Sequence, residues 1–192
     1  MKEKISYQDF LELCDEDTLA EWVDGRIVRY SPASDMHQYL ARWLTSILHI
    51  YVEEKKLGII LPAPFQMKTG AGLPGREPDI LFIAKENLGR LKRTYVDGPA
   101  DLVIEIVSEE SRSRDRIDKF EEYEIGGVKE YWILEPDLKK ADFFVLEEFF
   151  FKKEEVQGIY RSEVLHEFWI KVDWFWNLPP VLEVLKELGL IE

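Results

Sequence analysis

Between Ser34 and Glu54 the apolar residues fall at Leu40, Trp43, Leu44, Ile47, Leu48 and Tyr51. Spacings of three and four put all six on one stripe of an α-helix, and Ser34 or Asp35 offers a capping oxygen at its start. A shorter helix is expected over Ser6–Leu13, with Tyr7, Phe10 and Leu11 on one face, and a terminal one follows Pro179-Pro180. Helical spacing also runs from Arg114 to Ile125 and stops at Gly126-Gly127, the residue type that ends helices in a left-handed turn. Elsewhere the runs are shorter. Glu21–Val23 and Arg26–Tyr30 flank Asp24-Gly25, a tight hairpin signal, and Pro32 ends that hairpin. Ile59–Met67, Asp79–Ile83, Leu102–Ser108 and Val128–Leu134 read as strands, separated by the Gly/Pro-rich TGAGLPGREP, the basic AKENLGRLKRTYVDGPA and the Arg114–Ile125 helix. Strand, helix, glycine turn and strand in that order suggest a crossover between parallel strands. From Ala141 to Asn177 the chain reads as β throughout. The expected fold class is therefore α/β (α+β): a mixed β-sheet flanked by helices, with a β-rich C-terminal third, in one domain over residues 1–192.

One strand breaks its own pattern. Leu102–Ser108 reads LVIEIVS, the apolar run of a strand covered on both faces, yet Glu105 stands near its middle. An unpaired ionised carboxylate there is costly, so Glu105 needs a cation, a donor or an opening to water.

Composition narrows the choice of partner. Hydrophobic residues make up 46% of the chain, enough to fill a core of this size. The 38 acidic against 25 basic side chains give a net charge of −13, which repels nucleic acid and anionic membranes over long range. A nucleic-acid-binding function therefore needs a local positive rim, for which Arg90, Lys92, Arg93, Arg112, Arg114 and Arg116 are candidates. The single cysteine, Cys14, allows neither an internal disulfide nor a cysteine metal cluster. No signal-like N-terminus and no run near the roughly 20 apolar residues of a membrane span make a soluble, cytoplasmic protein the expectation.

Asp79 at the start of one strand, Glu105 inside the next and Lys119 on the helix after it could meet. Two carboxylates on neighbouring strands, a few ångströms apart, suit a hard divalent cation such as Mg²⁺ or Mn²⁺. A lysine beside them can orient water or stabilise charge developing on a phosphate. Asp115 lies one turn before Lys119 and Glu122 one turn after it, on the same helix face. Each has an ordinary alternative: a turn cap for Asp79, a buried ion pair for Glu105, a solvated pair with Asp115 for Lys119.

The segments REPDILFI and DLVIEIVSEESRSRDRIDKFEEYEIGGVKEYWIL, preceded by EWVDGRIVRYSPASDMH, resemble the Uma2 (DUF820) family, assigned to the restriction-endonuclease-like PD-(D/E)xK superfamily. The motifs cover residues 18–136, and length and element order match over the whole chain. The resemblance implies a restriction-endonuclease-like fold and divalent-metal-dependent hydrolysis of nucleic acid, DNA foremost, through a catalytic set of Asp79, Glu105 and Lys119. Pro78-Asp79 matches the superfamily's first acid and Glu105 its second, and these two would bind the metal. The superfamily lysine would fall at Val107; in this family it moves to the next helix, at Lys119. Asp115 would support the lysine, Glu21 would be a third acid from an early element, and His37 would touch metal or phosphate.

A reading of another class is a catalytically idle domain that binds protein or self-associates as a homodimer, through Phe149, Phe150, Phe151, Trp169, Trp174 and Trp176. The alternative for these aromatics is that they pack between layers.

Overall fold

The computed structural model describes residues 4–14, 20–29, 34–109 and 111–192. Helix α1 (Tyr7–Leu13) begins with a reciprocal cap in which the Ser6 hydroxyl accepts from the Asp9 N–H and the Asp9 carboxylate accepts from the Ser6 N–H. Strands β1 (Ala20–Val23) and β2 (Arg26–Arg29) turn through Asp24 and Gly25, both left-handed at φ 50° and 79°, as a two-residue hairpin of this twist requires. Its expected end at Pro32 lies outside the described residues. Helix α2 (Asp35–Glu54) is capped by Ser34, whose hydroxyl accepts from the His37 N–H, and buries the six stripe residues together with Val52.

The run read as one strand from Ile59 to Met67 is two, β3 (Gly58–Pro62) and β4 (Gln66–Lys68). They belong to different sheets, and Pro64 between them has no N–H to continue a ladder. The Gly/Pro-rich stretch contains β5 (Gly75–Arg76), and after β6 (Ile80–Ala84) the basic stretch contains β7 (Tyr95–Asp97). Beyond β8 (Leu102–Ile106), a π-type turn (Arg114–Asp118) feeds α3 (Lys119–Gly126), which Gly127 closes at φ 83°. Then come β9 (Glu130–Glu135), β10 (Lys140–Glu147), β11 (Phe150–Lys153), β12 (Ile159–Arg161), β13 (Trp169–Lys171), α4 (Trp174–Asn177) and α5 (Val181–Glu187).

Helix α4 corrects the all-β reading of the region. Trp174 and Phe175 are adjacent, both buried and in the same apolar cluster. A strand would have turned one of them to the opposite face. The aromatic surface is correspondingly smaller than expected. Trp169 and Trp176 pack against that cluster, and Phe151 lies 5.2 Å from the Phe120 ring. Only Phe149 and Phe150 of the six stand out, at 77% and 69% exposure.

Six strands form a mixed sheet in the order β11-β10-β9-β8-β6-β3, in which β8 and β9 are parallel, as the crossover reading expects. Five form a second sheet, β2-β1-β5-β4-β7, and β12-β13 make a ribbon. On the six-stranded sheet, Leu102, Ile104 and Ile106 of β8 face the cluster built on α2, while Val103 and Val107 face the cluster that holds Tyr123 of α3. Glu105 shares their parity and so faces α3. Likewise Leu81 and Ile83 of β6 face α3, and Asp79, two residues before Leu81, follows them. Among the described residues no helix is long and apolar enough to cross a membrane.

Candidate active site

Strands β6 and β8 pair with Ile80 opposite Ile104, so one further step sets Asp79 beside Glu105. The Asp79 carboxylate accepts from the Ile106 N–H at 2.7 Å through Oδ2 and lies 3.0 Å from His37 Nε2 through Oδ1. Oε1 of Glu105 accepts from Lys119 Nζ and from the Tyr123 hydroxyl, each at 2.8 Å. Lys119 and Tyr123 are one turn apart on α3, so one helix face supplies both donors. Lys119 Nζ also lies 3.2 Å from Glu21 on β1 and 3.3 Å from Asp115 in the π-type turn. At 3% exposure, Lys119 is buried, which overturns the solvated-pair alternative. The buried ion pair considered for Glu105 does form, and its partner is the candidate catalytic lysine.

The surroundings position these groups. The Tyr131 hydroxyl donates to the Asp115 carbonyl at 2.9 Å, tying the π-type turn to β9. Gly126, at the end of α3, sits so close to Thr69 that a Cβ would lie 2.6 Å from the Thr69 Cβ, which fixes α3 against the second sheet. Arg76 carries no signal in the pattern beyond its place just ahead of Glu77-Pro78-Asp79. It is buried, donating from Nη1 to Glu21 at 2.9 Å and from Nε and Nη2 to Glu122 at 2.6 Å. Glu122 thus serves Arg76 rather than Lys119. Tyr123, which the sequence pattern does not single out, is the second donor to Glu105.

The electrostatics follow from burial and from the ratio of charges. Burial pushes the Glu105 carboxyl up to about 8; Lys119 opposes the rise, and Asp115 and Asp79 reinforce it. Burial would lower the Lys119 amine, yet Glu105, Glu21, Asp115 and Asp79 hold it above the ordinary lysine range. Glu105 holds its proton mainly because it is buried, and Lys119 holds its own because carboxylates surround it. Glu21 differs, since Lys119 and Arg76 outweigh its burial and hold it below the usual carboxylate range. Burial would likewise lower His37, but its bond to Asp79 holds it above the ordinary value.

Among the described residues no three His, Cys, Asp or Glu side chains stand close enough to hold a metal ion. The chemistry of the donors nonetheless fits one. They are carboxylate oxygens, the kind hard divalent cations take, and they are short of positive charge. The side chains of Asp79 and His37 are each 18% exposed against 3% for Lys119, so solvent reaches the cluster from the Asp79 side. Both Glu21 oxygens are engaged, by Arg76, Lys119 and the Glu77 N–H.

The expected basic rim is reduced. Arg112 and Arg116 bind Glu135, and Arg116 also binds Asp142. Arg90 donates to the Pro99 carbonyl and Lys92 lies 4.0 Å from Asp97. Arg114 lies 3.5 Å from Asp115, at the edge of the cluster.

The model of the Uma2 family, described as "Putative restriction endonuclease", matches residues 7–173. Among solved structures, a putative nuclease belonging to DUF820 from Anabaena variabilis aligns with a TM-score of 0.73 and 14% identity, over 90% of this chain and 98% of that one. At that identity the likeness is one of fold: mixed sheets flanked by helices in the restriction-endonuclease-like arrangement. No curated protein matches the sequence.

Proposed function

The chain belongs to the Uma2 family, and on that premise we propose that it is a divalent-metal-dependent endonuclease hydrolysing the phosphodiester bonds of nucleic acid, DNA foremost, within one domain. The observation that carries this reading is the meeting of Glu105, Asp115 and Glu21 around one buried lysine, with Asp79 one step beyond the Ile80–Ile104 pair and Glu105 lifted to about 8. An ion-pair network built only for stability would match its charges.

Asp79 and Glu105 would hold the cation, Mg²⁺ or Mn²⁺, with Asp115 at hand. When bound, it supplies Lewis-acid stabilisation of the charge that develops on the phosphate. Lys119 stays protonated because its carboxylates hold its pKa high; it therefore acts as a fixed positive charge toward a phosphate oxygen or an incoming water, and not as a base. Glu21 and Arg76 keep the amine aimed. His37, bonded to Asp79 at the open side, steadies that carboxylate and is the first group an entering phosphate would meet.

The test is twofold. Calorimetry with Mn²⁺ and Mg²⁺ should show binding that Asp79→Asn removes, and supercoiled plasmid should be nicked only with metal present. A protein that binds neither ion, or that nicks equally well as Asp79→Asn, ends the reading. The alternative of an idle self-associating domain draws on Phe149 and Phe150, exposed at the β10–β11 turn. Sedimentation that is strictly monomeric removes the self-association form of that alternative.

A further inference from the structure

The α3 face of the six-stranded sheet carries more than the candidate active site. Ile80 pairs with Ile104, Glu105 with Ile133 and Ile133 with Asp142. Asp79, Glu105, Ile133 and Asp142 therefore stand in one row across β6, β8, β9 and β10. Neighbouring strands lie about 4.8 Å apart, so Asp142 is roughly 10 Å from Glu105 along that row. At the β10 end the balance of charge is the reverse of that at Lys119.

Asp142 has three cations against it, Arg116 at 2.7 Å, Lys140 at 3.1 Å and Lys153 at 2.8 Å. Arg116 also serves Glu135, together with Arg112. Four positive charges thus stand over two buried negative ones. The turn between β9 and β10 adds one of each sign, Asp137 and Lys139, and leaves that excess unchanged. Glu154 continues the ladder by donating its N–H to the Phe143 carbonyl, which turns its side chain away from the face that Lys153 shares with Asp142. The two arginines are committed to Glu135, whereas the Lys140 and Lys153 side chains are 48% and 49% exposed. The excess is therefore carried outward on the lysines. An ion-pair network built for stability alone needs no more cations than acids, and in a chain of net charge −13 a local excess of this kind draws an anion.

We propose that this row is the track of the nucleic-acid backbone, DNA foremost, with the phosphate to be cut at Asp79 and Glu105 and a flanking phosphate on Lys140 and Lys153. The inference rests on the endonuclease reading and deepens it by naming where the substrate is held away from the reacting bond. The spacing suits a polymer: at 3.4 Å of rise per nucleotide, roughly 10 Å is about three nucleotides along one strand. Contacts of this kind set affinity and register without reading sequence. They also let an acidic protein keep a polyanion in place, because the positive charge is gathered at one end of the row.

The test is the binding of a fluorescent DNA duplex of about 20 base pairs, followed by anisotropy without metal between about 50 and 200 mM salt. A lysine seated on a phosphate contributes about 0.9 to the slope of log affinity against log salt. Lys140→Ala and Lys153→Ala should each lower the slope by that amount and weaken binding several-fold, whatever the sequence of the duplex. Lys140→Arg should keep the slope, and Lys186→Ala, exposed on α5, should leave slope and affinity as they were. Both lysines are half-exposed and Arg116 stays on Asp142, so circular dichroism should show each variant folded. A duplex that does not bind, a slope unchanged in the Lys140→Ala/Lys153→Ala double variant, or a slope lowered equally by Lys186→Ala overturns the proposal. Metal-dependent nicking with a slope that ignores both lysines removes this inference alone. Lysine-dependent binding by a protein that never nicks removes the endonuclease reading and leaves a surface for the nucleic-acid backbone.

Discussion

Two clusters of buried acids lie against the α3 face of the six-stranded sheet, and they differ in their supply of cations. Glu135 accepts from Arg112 and Arg116 at 2.6 Å, and Asp142 lies within reach of Arg116, Lys140 and Lys153 at 2.7, 3.1 and 2.8 Å. Four cations serve two acids. Burial works against both carboxylates, yet these partners hold both below their usual range. A few residues along the same turn and helix, Lys119 faces Glu105, Glu21 and Asp115; Arg76 helps at Glu21 and Arg114 lies beside Asp115, but among the described residues Glu105 has Lys119 as its one ion-pair partner, and burial drives Glu105 the other way, to about 8. Glu105 also lies deeper in the protein than Glu135 and Asp142, so depth of burial and the ratio of charges act together. The matched cluster clamps the π-type turn to β9 and β10. The unmatched one is left with an appetite for positive charge.

The contrast can be broken most forcefully at Lys119. Lys119→Ala strips Glu105 of its one ion-pair partner among the described residues and removes a cation shared by Glu21 and Asp115, and should cost about 3–5 kcal/mol, read by urea denaturation at pH 8. A loss under about 1 kcal/mol would mean that the acids already find water or other partners. Asp79→Asn should lower metal-dependent plasmid nicking by about 10²–10³-fold with little change in melting temperature, since an amide oxygen can still accept from Ile106; unchanged nicking would return Asp79 to the role of a turn cap. Arg116→Ala in the matched cluster should cost less than Lys119→Ala, about 1.5–3 kcal/mol, because Arg112, Lys140 and Lys153 remain, and should leave metal affinity intact. A larger loss than for Lys119→Ala would reverse the ranking of the clusters.

The pH dependence sharpens the same point with opposite signs. The folded-state pKa of Glu105 is raised from 4.5 to about 8, so the native protein binds the extra proton within that window. Its contribution to stability is full below about pH 4.5 and is lost as pH rises through about 8. Glu105→Gln should therefore flatten the alkaline side of the melting-temperature profile. Glu135, held below its ordinary value, contributes stability above that value and loses it as pH falls, so Glu135→Gln should flatten the acid side. Two variants with parallel profiles would show that the clusters do not differ in charge balance.

Much of this was legible along the chain. The α2 stripe, the Asp24-Gly25 hairpin, the stop at Gly126-Gly127 and the β8 strand follow from periodicity and turn chemistry, which act over a few residues. The anomaly of Glu105 in an apolar strand asked for a cation or a donor before any contact was known, and Lys119 and Tyr123 supply them. Where local pattern misled, long-range packing had the stronger claim: Trp174–Asn177 is helical so that neighbouring aromatics can enter one core, and Arg112 and Arg116 are spent on Glu135 and Asp142 instead of standing ready for phosphate.

What the sequence by itself determined is the set of elements and the presence of carboxylates and a lysine in a family order. Only the tertiary structure decided which charges balance. Glu21, Arg76, Glu105 and Lys119 come from elements far apart in the chain, and the energy of a charge in a low-dielectric interior depends on neighbours a few ångströms away, whatever their separation in sequence. That is why Arg76 and Tyr123 carry no mark in the pattern, and why a surplus of acid at Lys119 and its absence at Glu135 arise from residues of the same types.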